Sequence, residues 1–163
     1  MNNQKSRFFL KRHAQLERNF LTGFTLVEIM VAVSIVLVLA VLVIPNVLRA
    51  RINSNEVSTI SNLSSLGKSI QQYSMTNDYK YPQAFEDLVA PNSNPPYIDR
   101  DFIDNAKSGY LYVYEYQDDD NFRLLASPKT PGRTGVRYFY LDETGIIRAK
   151  EGGQASESDP PVQ

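Results

Sequence analysis

Twenty-one consecutive residues, Phe24 to Ile44, include only three that are not apolar: Thr25, Glu28 and Ser34. As a helix rising 1.5 Å per residue the run covers about 31 Å, close to the hydrocarbon thickness of a bilayer. The mean hydropathy of the whole chain is only −0.32, so the apolar character is concentrated here and not spread along the sequence. The pattern predicts one transmembrane helix over residues 24–44.

The flanks give the span a direction. Residues 1–23 carry Lys5, Arg7, Lys11, Arg12 and Arg18 against the single acid Glu17, a net charge of +4. Basic residues beside a span stay on the cytoplasmic side, so the N-terminus is expected inside and the rest of the chain across the membrane. Arg49 and Arg51, on the other flank, oppose this weakly. No small-residue cleavage site of the secretory type follows Ile44, so the span is expected to be retained.

Beyond the span the sequence reads as a small α+β head. Over residues 45–77, Leu48, Ile52, Ile60, Leu63, Gly67, Ile70 and Tyr73 recur at helical spacings, while Arg49, Asn53, Glu56, Ser61, Ser64, Lys68 and Gln71 form the face assigned to water. Span and amphipathic segment together predict a rod of about 80 Å. Pro45 lies in its middle, where a missing N–H and a clash with the preceding turn predict a kink or local loosening, or else a fresh helix start. Residues 78–150 are expected to form the globular head. Its first part, to Gly109, is a wrapping loop punctuated by Pro82, Pro91, Pro95 and Pro96, with one short helix around Gln83–Val89. Alternation from Tyr110 to Tyr116 predicts a strand with its tyrosines on one face, and Phe122–Ser127 its hairpin partner. Val136–Leu141 and Ile146–Ala149 make a second hairpin about the turn at Asp142–Gly145, giving about four antiparallel strands. Residues 151–163, rich in Gly, Ser, Pro and acids, predict a flexible tail.

Composition removes several functions. There is no cysteine for a disulfide, a thiol nucleophile or a thiolate metal site, and the one histidine, His13, lies in the leader. No nucleophile–base motif or phosphate-cradling glycine loop is present, so no enzyme and no catalytic residue is expected. Without the leader, 12 basic residues face 17 acidic ones, a net charge of −5 that argues against nucleic acid. The ten tyrosines suit strand packing, with ring buried and hydroxyl wet, better than base stacking.

Gly23-Phe24-Thr25-Leu26-Val27-Glu28, set where the basic leader meets the apolar run, resembles the cleavage and N-methylation motif of type IV pilins and of the pseudopilins of type II secretion systems. The apolar helix and Pro45 extend the resemblance over residues 1 to about 77. It implies a type IV pilin-like fold, with the long helix packed on the antiparallel sheet. It further implies that a membrane-embedded prepilin peptidase removes residues 1–23, cutting after Gly23 and methylating the new amine of Phe24. A glycine leaves an extended backbone unobstructed for that cut.

Glu28 needs a physical account, because an unpaired acid within a span costs roughly 2.5–3.5 kcal/mol. No Lys or Arg lies between Phe24 and Leu48 to pair with it. Cleavage creates a cation at Phe24, and a neighbouring copy staggered by about one turn presents it more easily than the chain's own rigid helix does. Repetition of that contact builds an open filament. The resemblance gives this glutamate the same assembly role. The partners it implies are further copies of the chain, minor pilins or pseudopilins, and an inner-membrane assembly platform with its ATPase. The expected location is the bacterial inner membrane, with the head periplasmic, and then a pilus or pseudopilus.

Between these two filaments, the lack of a C-terminal disulfide loop, and Tyr81-Pro82 followed by Asp87-Leu88, lean toward the pseudopilin. Major pseudopilins hold calcium in a loop. The Asp-Pro-Trp-Gly stretch usual there is absent from this chain, and Asp118, Asp119 and Asp120 are weak calcium candidates that read first as a solvated turn. No other cofactor is expected. The alternative class is a monomeric periplasmic binding module on an uncleaved signal anchor, with Glu28 at headgroup level.

Overall fold

The computed structural model describes residues 23–162. The leader charges Lys5 to Arg18, His13 and the final Gln163 lie outside the described residues. The chain divides into two compact units, one ending at Val41 and one beginning at Leu42. Helix α1 spans Leu26–Thr76, with Pro45 inside it, so the proline does not start a new helix.

In the first unit no described residue covers the helix. Leu26, Val27, Ile29, Met30 and the aliphatic residues that follow are all exposed. The helix is long and apolar enough to cross a membrane, with a mean hydropathy of 3.1 in its most apolar window. Water cannot stabilise so much uncovered apolar surface, whereas lipid or other apolar helices can.

In the second unit the helix has one covered face. Glu56, Thr59, Leu63, Leu66, Ile70 and Ser74 are buried along it at spacings of three and four. Against them lies a four-stranded antiparallel meander, β1 (Tyr110–Tyr116), β2 (Phe122–Pro128), β3 (Arg137–Asp142) and β4 (Arg148–Glu151), paired in sequence order. The register aligns the core-facing residues in rows across the sheet, Tyr112 with Ala126 and Phe139, and Tyr114 with Leu124 and Leu141. The tyrosine alternation therefore has its expected cause, for Tyr110 and Tyr112 are buried while Leu111 and Val113 face out. Helix and sheet approach closely at Gly67, where a Cβ would come within 2.9 Å of a Leu141 methyl.

The segment between helix and sheet closes the open end of this core. A 3-10 turn at Phe85–Leu88 stands within the short helix expected at Gln83–Val89, and one further turn, α2 (Asp101–Asp104), falls where only loop was anticipated. Phe85 stacks near Tyr114, and Phe102 meets the Tyr112 ring edge-on at 5.4 Å.

Two expectations are corrected. The tail is not a free strand of polar residues. Ala149 N–H donates to Pro160 O at 3.1 Å and Val162 N–H to Ile147 O at 2.8 Å, so the tail runs along β4. Asp159 folds it by accepting from both the backbone and the hydroxyl of Ser156, each at 2.8 Å, and Ala155 is buried against Leu125 and Tyr140. The second correction is Glu56, assigned to the watery face but buried on the sheet side.

Leu63 is wholly buried whereas Val113 is half exposed. Leu63→Ala is expected to destabilise the head by about 2–5 kcal/mol and Val113→Ala by less than about 1 kcal/mol. Urea unfolding of the detergent-solubilised chain, followed by the tyrosine near-ultraviolet circular dichroism, measures both.

Candidate functional site

The helix start and the motif coincide. Thr25 is the residue before α1, and Glu28 N–H donates to its Oγ1 at 3.2 Å while Thr25 N–H reaches back to Glu28 Oε2 at 3.5 Å. This is a reciprocal capping box, which uses Thr and Glu three apart to satisfy the free N–H groups of a first turn. The carboxylate also lies at the positive end of the helix dipole. Glu28 remains exposed, as do Phe24, Leu26 and Val27 around it, so its remaining oxygen capacity faces away from its own chain. Among the described residues no Lys or Arg side chain pairs with it.

Gly23 stands immediately before this turn. Among the described residues nothing lies within 4 Å of where its Cβ would be, so their packing does not require a glycine there. Pro45 is inside α1, as its place in the sequence anticipates, with exposed Val43, Ile44 and Val47 beside it.

Asp118, Asp119 and Asp120 occupy the turn between β1 and β2. Asp118 accepts from the Asn121 side chain at 2.8 Å and from Asp120 N–H at 2.9 Å. Asp119 pairs with the Lys80 ammonium at 2.8 Å and accepts from the Tyr116 hydroxyl at 2.7 Å. Those partners hold the Asp119 carboxyl below the usual aspartate range, the Lys80 bond first. A calcium ion needs six to eight oxygens turned to one point. Here one carboxylate is spent on its own turn and another on an ammonium, and among the described residues no three His, Cys, Asp or Glu side chains are grouped to hold a metal.

The residue that sequence reasoning misplaced proves central to the head. Glu56 accepts from Val136 N–H at 2.9 Å and Arg137 N–H at 3.1 Å through one oxygen, and from Arg137 Nε at 2.7 Å through the other. The preceding residue, Asn55, donates to Thr134 O at 2.8 Å, and the Tyr110 hydroxyl donates to Arg137 O at 2.8 Å. Helix α1 thus grips the loop between β2 and β3 by its backbone. Gly135 is needed there, since a Cβ would collide with the Tyr110 ring. The clue was present in the spacing: Glu56 falls four residues after Ile52 and four before Ile60, on the stripe itself.

Burial opposes the charge of Glu56, but the Val136 and Arg137 bonds and the guanidinium together outweigh it and hold the carboxyl below its ordinary 4.5. A lowered folded value stabilises the head fully above the unfolded value and ceases to do so as pH falls through the folded one. Glu56→Gln is expected to cost about 1.5–3 kcal/mol at pH 7. The gap between wild type and variant narrows below pH 4.5, as thermal unfolding across pH 3–7 can check.

No family model matches the chain. Three relatives, each named type II secretion system core protein G, cover most of it. That of Escherichia coli K12 is 36% identical over 113 residues, 68% of this chain and 74% of the relative. That of Vibrio cholerae serotype O1 is 35% identical over 141 residues, covering 85% and 88%. That of Klebsiella pneumoniae is 38% identical over 132 residues, covering 79% and 89%.

Proposed function

This chain belongs to the family of type II secretion system core protein G, the pseudopilins, and from that premise we propose that it is a structural subunit that polymerises through α1 into a pseudopilus. The observation that carries the reading is one acid at the start of the apolar first part of α1. Glu28 sits four residues past Phe24, on a stretch whose aliphatic side chains are exposed among the described residues. In a bilayer those side chains meet lipid. In a filament they meet the same side chains of neighbours, and the exchange is driven by packing and by pairing of the acid.

The chemistry at the helix start supports the order of events. Processing after Gly23 frees the amine of Phe24, directly before the Thr25 cap, and methylation leaves it basic. The glycine answers no packing need among the described residues, which is consistent with a need imposed by a peptidase. The capping box keeps Glu28 fixed while it waits for a partner. An adjacent copy, advanced by about one helical turn, brings its terminal amine to that carboxylate. Each copy then offers one amine and one carboxylate, so the contact is heterologous and does not close.

The remaining roles follow from this reading. The prepilin peptidase, minor pseudopilins, and an inner-membrane platform with its ATPase are the partners. The leader's charge keeps the N-terminus cytoplasmic and places the head in the periplasm. Domain boundaries at residues 23, 44, 77 and 150 mark leader, span, amphipathic helix and head. No catalytic step is assigned to any residue.

Intact-mass measurement of the membrane-purified protein from cells with the peptidase tests the first step, with a chain starting at N-methylated Phe24 expected. Full-length protein starting at Met1 supports instead an uncleaved anchor. Glu28→Val is expected to be cleaved normally and yet yield no filaments under electron microscopy. Abundant filaments from that variant remove the pairing mechanism.

A further inference from the structure

Four exposed basic residues belong to α1 just past Ile44 and to the loop that is fastened to this part of the helix. Arg49 and Arg51 lie on α1 five and seven residues past Ile44, about 7.5 and 10.5 Å along the helix. Lys129 and Arg133 belong to the loop between β2 and β3, which Asn55 and Glu56 fasten to the next turn of the same helix. Arg51 precedes Asn55 by four residues, so it stands on that face one turn nearer to Ile44. Lys129 is held there too, its N–H donating to Gly109 O at 2.9 Å.

All four side chains are exposed, and among the described residues none makes an ion pair or side-chain hydrogen bond. Neighbouring acids do not neutralise them. Glu56 is taken by Arg137, and Glu151 lies opposite Arg137 in the β3–β4 register, beside Lys150. One acidic turn, Asp118, Asp119 and Asp120, lies beyond Tyr116 at the other end of β1 from Tyr110, and Asp99, in the segment packed on β1, is 3.8 Å from Lys107.

The headgroup layer is about 5–8 Å deep on each side of the hydrocarbon, and the long side chains of Arg49 and Arg51 reach it from where they stand. Basic residues on the translocated flank run against the general bias of membrane proteins, so their presence calls for a compensating interaction. Each Lys or Arg close to an anionic surface gains about 1 kcal/mol.

We propose that Arg49, Arg51, Lys129 and Arg133 form a collar that binds the phosphates of anionic phospholipids in the outer leaflet of the membrane that holds the apolar run. The collar steadies the head over the bilayer before assembly. It rests on the reading of residues 24–44 as a span, which carbonate extraction of the full chain tests separately: release from membranes would sink that reading, whereas retention leaves the collar to be judged alone.

The test uses the full chain in vesicles of phosphatidylcholine with about 30 mol% phosphatidylglycerol, read by the motionally restricted fraction of spin-labelled lipid of each kind. The comparison protein carries Arg49→Gln, Arg51→Gln, Lys129→Gln and Arg133→Gln. The leader's basic residues act equally in both, so the difference between them is what is measured. Expected is an excess preference for phosphatidylglycerol of about threefold over the variant, falling toward none in about 0.5 M salt. A double variant at Arg51 and Arg133 should lose part of it. Equal preference in both proteins overturns the proposal. So does full loss of the difference on adding inorganic phosphate at constant ionic strength, which would mark a free-anion site. A variant that loses only self-association in pure phosphatidylcholine, read by energy transfer between labelled copies, assigns the surface to a second copy and also overturns it.

Discussion

The head is organised by the carboxylate of Glu56. Its two oxygens accept three N–H groups from Val136 and Arg137, so the start of the following strand is tied to α1 by two backbone groups and one guanidinium. Because Arg137 begins β3, fixing it sets the register of the central pair and, through that, the rows of Tyr112, Ala126 and Phe139 that cover Leu63 and Leu66. Apolar burial supplies most of the free energy, but it is non-directional, and one charged, hydrogen-bonded group selects among the ways the sheet could slide along the helix.

A single helix meets two different environments with one period. Past Asn55 its apolar residues, Val57 and Met75 apart, fall on one stripe and find a sheet. Before Pro45 they cover every side and find no cover among the described residues. The first pattern specifies an intramolecular core, and the second leaves the solution to lipid or to other copies. Glu28 is tolerable at its place because the helix start provides both a capping partner in Thr25 and a favourable dipole, and it stays available because the cap engages only part of its oxygen capacity.

How legible this was depended on whether a feature was periodic. The span and the long helix are visible because many residues repeat one spacing, and the first strand because tyrosines alternate over seven positions. Asp101–Asp104 escaped notice because one helical turn has no period to detect. Glu56 was misplaced because polarity was weighed above position, although Ile52 and Ile60 bracket its place on the stripe. The tail was misread because its composition is that of a disordered segment, while its order comes from a few local acts: Asp159 turning back on Ser156, Ala155 filling a gap, and two backbone bonds to residues beside β4. Of the motif, the residues of the helix start stand where their sequence places them, and the aspartate turn is built from bonds among its own neighbours and Lys80.

The tail's course gives the molecule an asymmetric rim. By running beside β4 it occupies hydrogen-bonding groups that an outermost strand would otherwise offer to any passing chain. The opposite border, β1, is shortened in effect by the turn at Lys107 and by the bulk of α2. In a chain that assembles through its helix, as proposed above, a covered rim removes sheet-to-sheet pairing as a competing mode of association.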